Sequence, residues 1–213
     1  MQHKKEGPER TFIEEARRAQ IVQCAADAIA ESGYARATMA EIARRAGIAK
    51  SVISYHFEDK NELMLELVRT AVTTFTGFIE PRLAAEHGAT AKIRAYLAGS
   101  ADYMSVHRNL HVAVLEIAFN AVGADGRPLV TAMPLETHKP TIEQILRDAQ
   151  AAGQLRDFDV DVMAGLIRSA VTHTMTLAQR ADPAADLASY ARELATVFDL
   201  ATRPLMPPAP AAQ

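Results

Sequence analysis

The chain has no tryptophan, a single cysteine and few aromatic side chains, 6% in all. With so few of the residues that favour strands, a sheet-rich fold is not expected. One cysteine, Cys24, excludes an intrachain disulfide. It sits in an apolar helical stretch and reads as a small core residue rather than a redox sensor. No apolar run approaches the roughly twenty residues that span a bilayer. The first ten residues, MQHKKEGPER, carry charge with no apolar core behind it, unlike a signal peptide. A cytoplasmic protein without membrane contact is therefore expected. HExxH, a cysteine pair, GxSxG and a phosphate-binding glycine loop are all missing. These absences argue against an enzyme, and no cofactor is expected.

What remains is 213 alanine-rich residues, enough for one or two domains with a sizeable core. The composition favours helices. The net charge of −3 argues weakly against a nucleic-acid partner, but it is unevenly spread. Residues 1–70 carry eleven basic and eleven acidic side chains, and the rest carry twelve and fifteen. Within 35–60 the balance is five basic (Arg36, Arg44, Arg45, Lys50, Lys60) to three acidic (Glu41, Glu58, Asp59). Local patches, not averages, decide phosphate contact.

That basic stretch carries the main motif. Thr38 and Glu41 have the spacing of a capping box, which opens a short helix, and Gly47 closes it. A second short helix follows from about Lys50 to His56. Asp59 with Glu62 opens a third. Two short helices across a glycine turn predict a helix-turn-helix, whose second helix suits the DNA major groove. Ala40, Ile42, Ala43, Ala46, Ile48 and Ile53 are candidates to pack the pair. An ordinary polar helical hairpin is the alternative on pattern alone.

The run from Arg17 to Leu67, about a quarter of the chain, resembles the N-terminal domain of the TetR family of transcriptional regulators. Ile21, Ala25 to Ile29, Gly33-Tyr34, Thr38, Ile42-Ala43 and Ala46-Gly47-Ile48 carry the resemblance, with His56-Phe57, Lys60 and Leu63. It implies an all-α homodimer that binds a palindromic double-stranded DNA operator and releases it when a small molecule fills the C-terminal domain. Two positions depart from the family pattern. Ala49 stands where a Ser or Thr cap is usual, at a cost of about 1 kcal/mol. Ser54 stands where a phosphate-contacting Tyr is usual, and Tyr55 points about 100° further round the helix. The candidate DNA-binding residues are Thr38, Arg45, Lys50, Ser51, Val52, Ser54, Tyr55, His56 and Lys60. Lys50 and Lys60 are the expected phosphate anchors. Ser51 and Val52 are expected near base edges. Ser54, Tyr55 and His56 remain alternative phosphate contacts.

The expected organisation is a mobile arm (1–10), a helix-turn-helix domain (11–59), a C-terminal ligand-binding and dimerisation domain (60–203) and a disordered Pro/Ala tail (204–213). Thr11 with Glu14 opens the first long helix, and Ser32-Gly33 ends it. A helix from Lys60 to about Ile79 joins the halves and ends or kinks at Pro81. Further helices are expected over 89–107, over the almost wholly apolar 109–122, over 128–152 with a break near Pro134 to Pro140, over 160–180, and from an Asp182-Pro183 cap to 202.

In the second half, Glu116 is a lone acid in an apolar helix, lining a cavity or facing solvent. The expected ligand lining is Phe75, Phe78, Tyr103, Met104, His107, Glu116, Phe119, Met133, Met163, Thr172, His173 and Thr176. His107 and His111 are four apart and would share a helix face, a metal-like spacing. A third ligand (Glu116, His138 or His173) is not placed, so no metal is expected. The expected dimer interface is Ile167, Val171, Thr174, Leu187, Tyr190, Leu194, Val197 and Phe198. A ligand-responsive repressor is the leading expectation. A DNA-binding regulator governed by a protein partner or by no effector is the second. A helical small-molecule-binding module with weak DNA binding is the third.

Overall fold

The computed structural model describes residues 11–132, 142–182 and 184–204. The expected arm, Met133, the expected break at Pro134 to Pro140 and the tail beyond Pro204 lie outside the described residues, as does the side chain of Thr174. Among the described residues the regular structure is helical, apart from one isolated bridge between Val122 and Pro128. The helices are α1 (Phe12–Ser32), α2 (Met39–Ala46), α3 (Lys50–His56), α4 (Lys60–Ala84), α5 (Ala89–Val106), α6 (Arg108–Asn120), α7 (Ile142–Ala151), α8 (Val160–Ala181) and α9 (Leu187–Thr202), with a 3-10 turn at Leu129–Ala132.

The chain divides into two compact units. One is Met1–Val72 with Asn109–Pro134, and the other is Thr73–Arg108 with Leu135–Gln213. This differs from the expected boundary at 59/60. The first half of α4, together with α6, shares a core with the helix-turn-helix. Ile21, Ala25, Ile29, Ile42, Ile53, Phe57, Leu63, Leu67, Ala113 and Ile117 belong to that core. The second unit has its own core, built from Ile79, Leu83, Ile93, Leu97, Met104, Ile145, Leu146, Ala164, Ile167 and Phe198 among others.

Four sequence expectations change. First, Pro81 lies inside α4 rather than ending it. The proline removes only its own bond to Gly77, while the buried side chains of Ile79 and Leu83 hold the last turn in the core. Arg82 adds a guanidinium bond to the Phe78 carbonyl at 2.7 Å. Second, α5 ends at Val106 and α6 restarts at Arg108, so His107 and His111 do not share one helix face. Third, α9 is capped by Asp186, whose carboxylate accepts from the Ser189 N–H at 3.2 Å. Asp182 is occupied by a local turn, accepting from the Ala184 N–H at 2.9 Å. Fourth, α6, almost wholly apolar in sequence and so expected to be buried on most sides, buries one stripe, Leu110, Ala113 and Ile117.

Candidate nucleic-acid interface

The helix-turn-helix is built from its caps inward. Thr38 has extended backbone angles, and its hydroxyl accepts from the Glu41 N–H at 3.2 Å. The return half of the box is not made. The Glu41 carboxylate instead takes Arg44 through two nitrogens at 2.8 and 2.7 Å and Arg45 at 2.8 Å. Those bonds, Arg44 first and then Arg45, pull its pKa down to about 2. Gly47 closes α2 with φ +66°, in the left-handed region where a glycine is needed. Ala49 then enters α3 at φ −70° and ψ 148°, the backbone of an N-cap without a side chain to serve it. Ile53 and Phe57 are buried beneath α3, while Lys50, Ser51, Ser54 and Tyr55 face solvent and Val52 and His56 are half-buried.

A residue that sequence reasoning missed anchors α3 from below. Arg18 is a buried cation on α1. Its guanidinium bonds the His56 carbonyl, lies 4.0 Å from the centre of the Phe57 ring, and stands 3.6 Å from both Glu62 and Glu66. The signal was present. Arg18, Val22, Ala25 and Ile29 fall on one helical stripe, so Arg18 lies on the face that enters the core. Likewise Glu62 does more than expected. Its N–H bonds the Asp59 cap at 2.8 Å, and its carboxylate reaches the Glu58 N–H at 2.6 Å.

Most cations near the reading helix are already paired. Arg45, a candidate DNA-binding residue, lies between Glu31 at 2.6 Å and Glu41 at 2.8 Å, where it braces α1 to α2. Lys60, expected at a phosphate, donates to the Tyr34 carbonyl at 2.7 Å and lies 3.8 Å from that ring's centre. Burial lowers the Lys60 pKa. Arg36 bonds the Ser32 carbonyl at 2.7 Å. Lys50, exposed at the start of α3, has no ion pair among the described residues. Tyr55 is 74% exposed, and its hydroxyl meets Glu14 at 3.1 Å.

The expected ligand lining divides between the units. Glu116 and Phe119 belong to the first. Glu116 accepts from the Tyr34 N–H at 3.4 Å and from Asn120 at 3.3 Å, so it serves the turn after α1 rather than a cavity. Phe119 is 83% exposed and lines nothing in that unit. In the second unit an aromatic group forms along α4 and α5. Phe75 and Phe78 stand edge-on to Tyr103, with ring centres 5.1 and 5.7 Å apart, and His107 lies 4.7 Å from Tyr103. Burial pushes the Tyr103 hydroxyl up to about 12. Met104 and Met163 are buried in the same unit's core. Thr172 and Thr176 are half-buried, and the Thr176 hydroxyl bonds the Thr172 carbonyl; His173 is exposed. A separate open cleft of about 430 Å³ lies between α4, α5 and α7, with Glu80, Leu83, Lys92, Gln144 and Asp148 in its walls. None of the expected ligand residues lines it.

The expected interface residues also separate by burial. Ile167, Val171, Leu187 and Phe198 are consumed by the second unit's own core and present no outer face. Leu194 is half-buried against that core. Tyr190 and Val197 are exposed, and so are Val162 and Leu166 on α8 and Leu200 on α9. Core-facing and outward-facing apolar residues lie one position apart on these helices, as Phe198 and Val197 do on α9. Among the described residues no helix is long and apolar enough to cross a membrane, and no three His, Cys, Asp or Glu side chains gather as a metal site would need.

A three-helix unit whose third helix is held from beneath and exposes polar side chains is the architecture of a DNA-binding head. Residues 21–67 match the family model described as bacterial regulatory proteins, tetR family. The HTH-type transcriptional regulator BetI of Serratia proteamaculans is 35% identical over 88 residues, 40% of this chain and 44% of that protein. BetI of Escherichia coli is 33% identical over 96 residues, 44% of this chain and 49% of that one. The match thus spans under half the length of these curated relatives. Among solved structures, the transcriptional regulator FadR from Bacillus subtilis in complex with stearoyl-CoA superposes with a TM-score of 0.74 at 21% identity, covering 84% of this chain and 96% of that one. The ketosteroid transcriptional regulator KstR2 of Mycobacterium tuberculosis gives 0.67 at 18% identity, covering 89% and 96%. The head at residues 21–67 thus matches the tetR family of bacterial regulatory proteins, and the helical fold of the described residues is similar to that of these solved regulators.

Proposed function

We propose that this chain is a dimeric DNA-binding transcriptional regulator, most simply a cytoplasmic, non-enzymatic repressor that leaves a palindromic operator when a small molecule binds. The observation that carries the reading is α3, a seven-residue helix anchored by Ile53, Phe57 and Arg18 with Lys50, Ser51, Ser54 and Tyr55 exposed on its outer side. Lys50 supplies the phosphate contact, and Ser51 lies near the helix start, where base edges are reached. Two such heads are needed for a palindrome. The outward apolar residues Val162, Leu166, Tyr190, Val197 and Leu200 of α8 and α9 suit a pairing of two copies. The effector is an apolar molecule, in keeping with the aromatic group at Phe75, Phe78 and Tyr103 and with the stearoyl-CoA held by the FadR relative of similar fold.

The test is selection of bound duplexes from a random DNA pool, followed by titration of the winning duplex with stearoyl-CoA. Enrichment of a two-fold motif with half-sites about 34–36 Å apart supports the regulator. A pool that shows no enrichment at low salt overturns it. A winning duplex that no acyl-CoA releases removes that effector class and leaves the DNA reading standing.

A further inference from the structure

We propose that Glu14 masks the hydroxyl of Tyr55, and that this hydroxyl is the phosphate donor at the end of α3. The inference rests on the DNA-binding reading above.

Tyr55 projects from α3 with most of its surface in solvent, so no core role explains its position. A phenol has one O–H to donate. Its oxygen stands 3.1 Å from Glu14 Oε1, and an ionised carboxylate only accepts, so the proton points at Glu14. The other oxygen, Oε2, fixes the carboxylate in place. It accepts from the Thr11 N–H at 2.9 Å and from the Thr11 hydroxyl at 3.2 Å. Those bonds, with Tyr55 second, hold the Glu14 pKa below the usual carboxylate range, so the group is charged at neutral pH. The capping box that opens α1 therefore aims a fixed negative charge at the reading helix. A DNA phosphate is likewise an anion that only accepts. It cannot share the same proton, and it meets the carboxylate at close range. For Tyr55 to hold the backbone, Glu14 must give it up. Ser54, where the family pattern puts a tyrosine, offers a shorter hydroxyl on the neighbouring face of α3. His56 is half-buried. Of the three alternatives, Tyr55 has the reach and the exposure.

The consequence runs opposite to most interface substitutions. E14Q should tighten DNA binding. Glutamine also completes a capping box, so α1 keeps its start, and a thermal melt checks that the fold is retained. The probe is the duplex selected by the wild-type full-length chain, followed by fluorescence anisotropy. E14Q should bind about two- to fivefold more tightly at low ionic strength, with the gain shrinking as salt rises. Y55F should weaken binding, and E14Q added to Y55F should recover little. An E14Q protein that binds no more tightly than wild type overturns the mask. An equal gain in both backgrounds overturns the role of Tyr55, because simple removal of charge would then suffice. Wild-type protein that retains no DNA at all overturns the DNA reading itself, and the mask with it.

Discussion

The Lys60 ammonium donates to the Tyr34 carbonyl at 2.7 Å and lies 3.8 Å from the centre of the ring of the same residue. The first residue of α4 is thereby tied to the turn between α1 and α2. The other side of that turn is held from α6, where Glu116 accepts the Tyr34 N–H at 3.4 Å. Tyr34 is therefore the point at which three elements of the first unit meet, and both of its tethers are polar. The cation that spacing alone assigns to a phosphate is engaged in holding the head together. Lys60→Met should cost about 1–2 kcal/mol, the size of a charge-assisted hydrogen bond with a partly exposed cation–π contact. Denaturant unfolding would read it. The salt slope of DNA binding should stay at its wild-type value, whereas loss of a phosphate contact would flatten it by about one unit.

Ala49 offers the opposite experiment. Its backbone already has cap geometry, φ −70° and ψ 148°, and it is exposed, so a serine there meets no obstruction. The hydroxyl would take one of the unserved N–H groups at the start of α3. Ala49→Ser should therefore stabilise the protein by about 1 kcal/mol. In a chain of this size that is a rise in Tm of about 2–4 °C, measurable by calorimetry. An unchanged or lower Tm would mean that the start of α3 is already satisfied.

These two cases show what was legible in the sequence and what was not. Local signals transferred well. Thr11 with Glu14, Thr38, Gly47 and Asp59 all act at the positions their types and spacing suggested, because caps and left-handed turns are decided within four residues. The missing cap at Ala49 was visible for the same reason. Partner choice was not legible. Glu41 has the spacing to return to Thr38 but is claimed by Arg44 and Arg45, one turn further on. Arg45, Lys60 and Glu116 each find a partner more than a dozen residues away, at Glu31 or Tyr34, and no pattern of period 3.6 encodes that. The aromatic group was half legible. Phe75, Phe78, Tyr103 and His107 were named together and do come together, but Phe119 points to solvent. At α8 and α9 the apolar stripes are broad enough to serve a core and an outer face at once. Only packing tells Phe198 from Val197.

Acid should weaken the fold through His111. Burial drives its pKa down to about 4, from 6.5 for the free side chain. The folded state therefore holds the ring neutral where the unfolded chain would protonate it. Between pH 6.5 and about 4 the unfolded state binds more protons, so stability falls as pH falls through that window. Above 6.5 the contribution is complete, and below about 4 both states are protonated and the slope from this group vanishes. The whole effect is about 3 kcal/mol. Denaturation curves of the wild type and of His111→Gln across this range would separate it from the carboxylates, which titrate in both proteins. Parallel curves would show that His111 is not the group responsible.

Assembly is the last prediction, and burial makes it sharper than the helical pattern could. Tyr190, Val197 and Leu200 lie at successive steps of seven and three along α9, on one exposed line. Val162 and Leu166 lie four apart on α8 and are exposed as well. Among the described residues an apolar line of this kind on each of two helices has no partner in its own chain, and a second copy presents the same two lines to it. Val197→Glu places a charge on the line at a position 54% exposed, so the monomer has little packing to lose there. In the dimer the same charge would be buried without a partner. Phe198→Glu, one residue along, points into the core, where the side chain is only 6% exposed, and should abolish folding altogether. The wild type should sediment as a dimer at micromolar concentration. Val197→Glu should sediment as a monomer with the wild-type helical circular dichroism, and its thermal midpoint should no longer depend on concentration. Operator affinity should fall with the loss of the second head. A Val197→Glu protein that remains dimeric would move the interface off α8 and α9, and a monomeric wild type would remove the dimer.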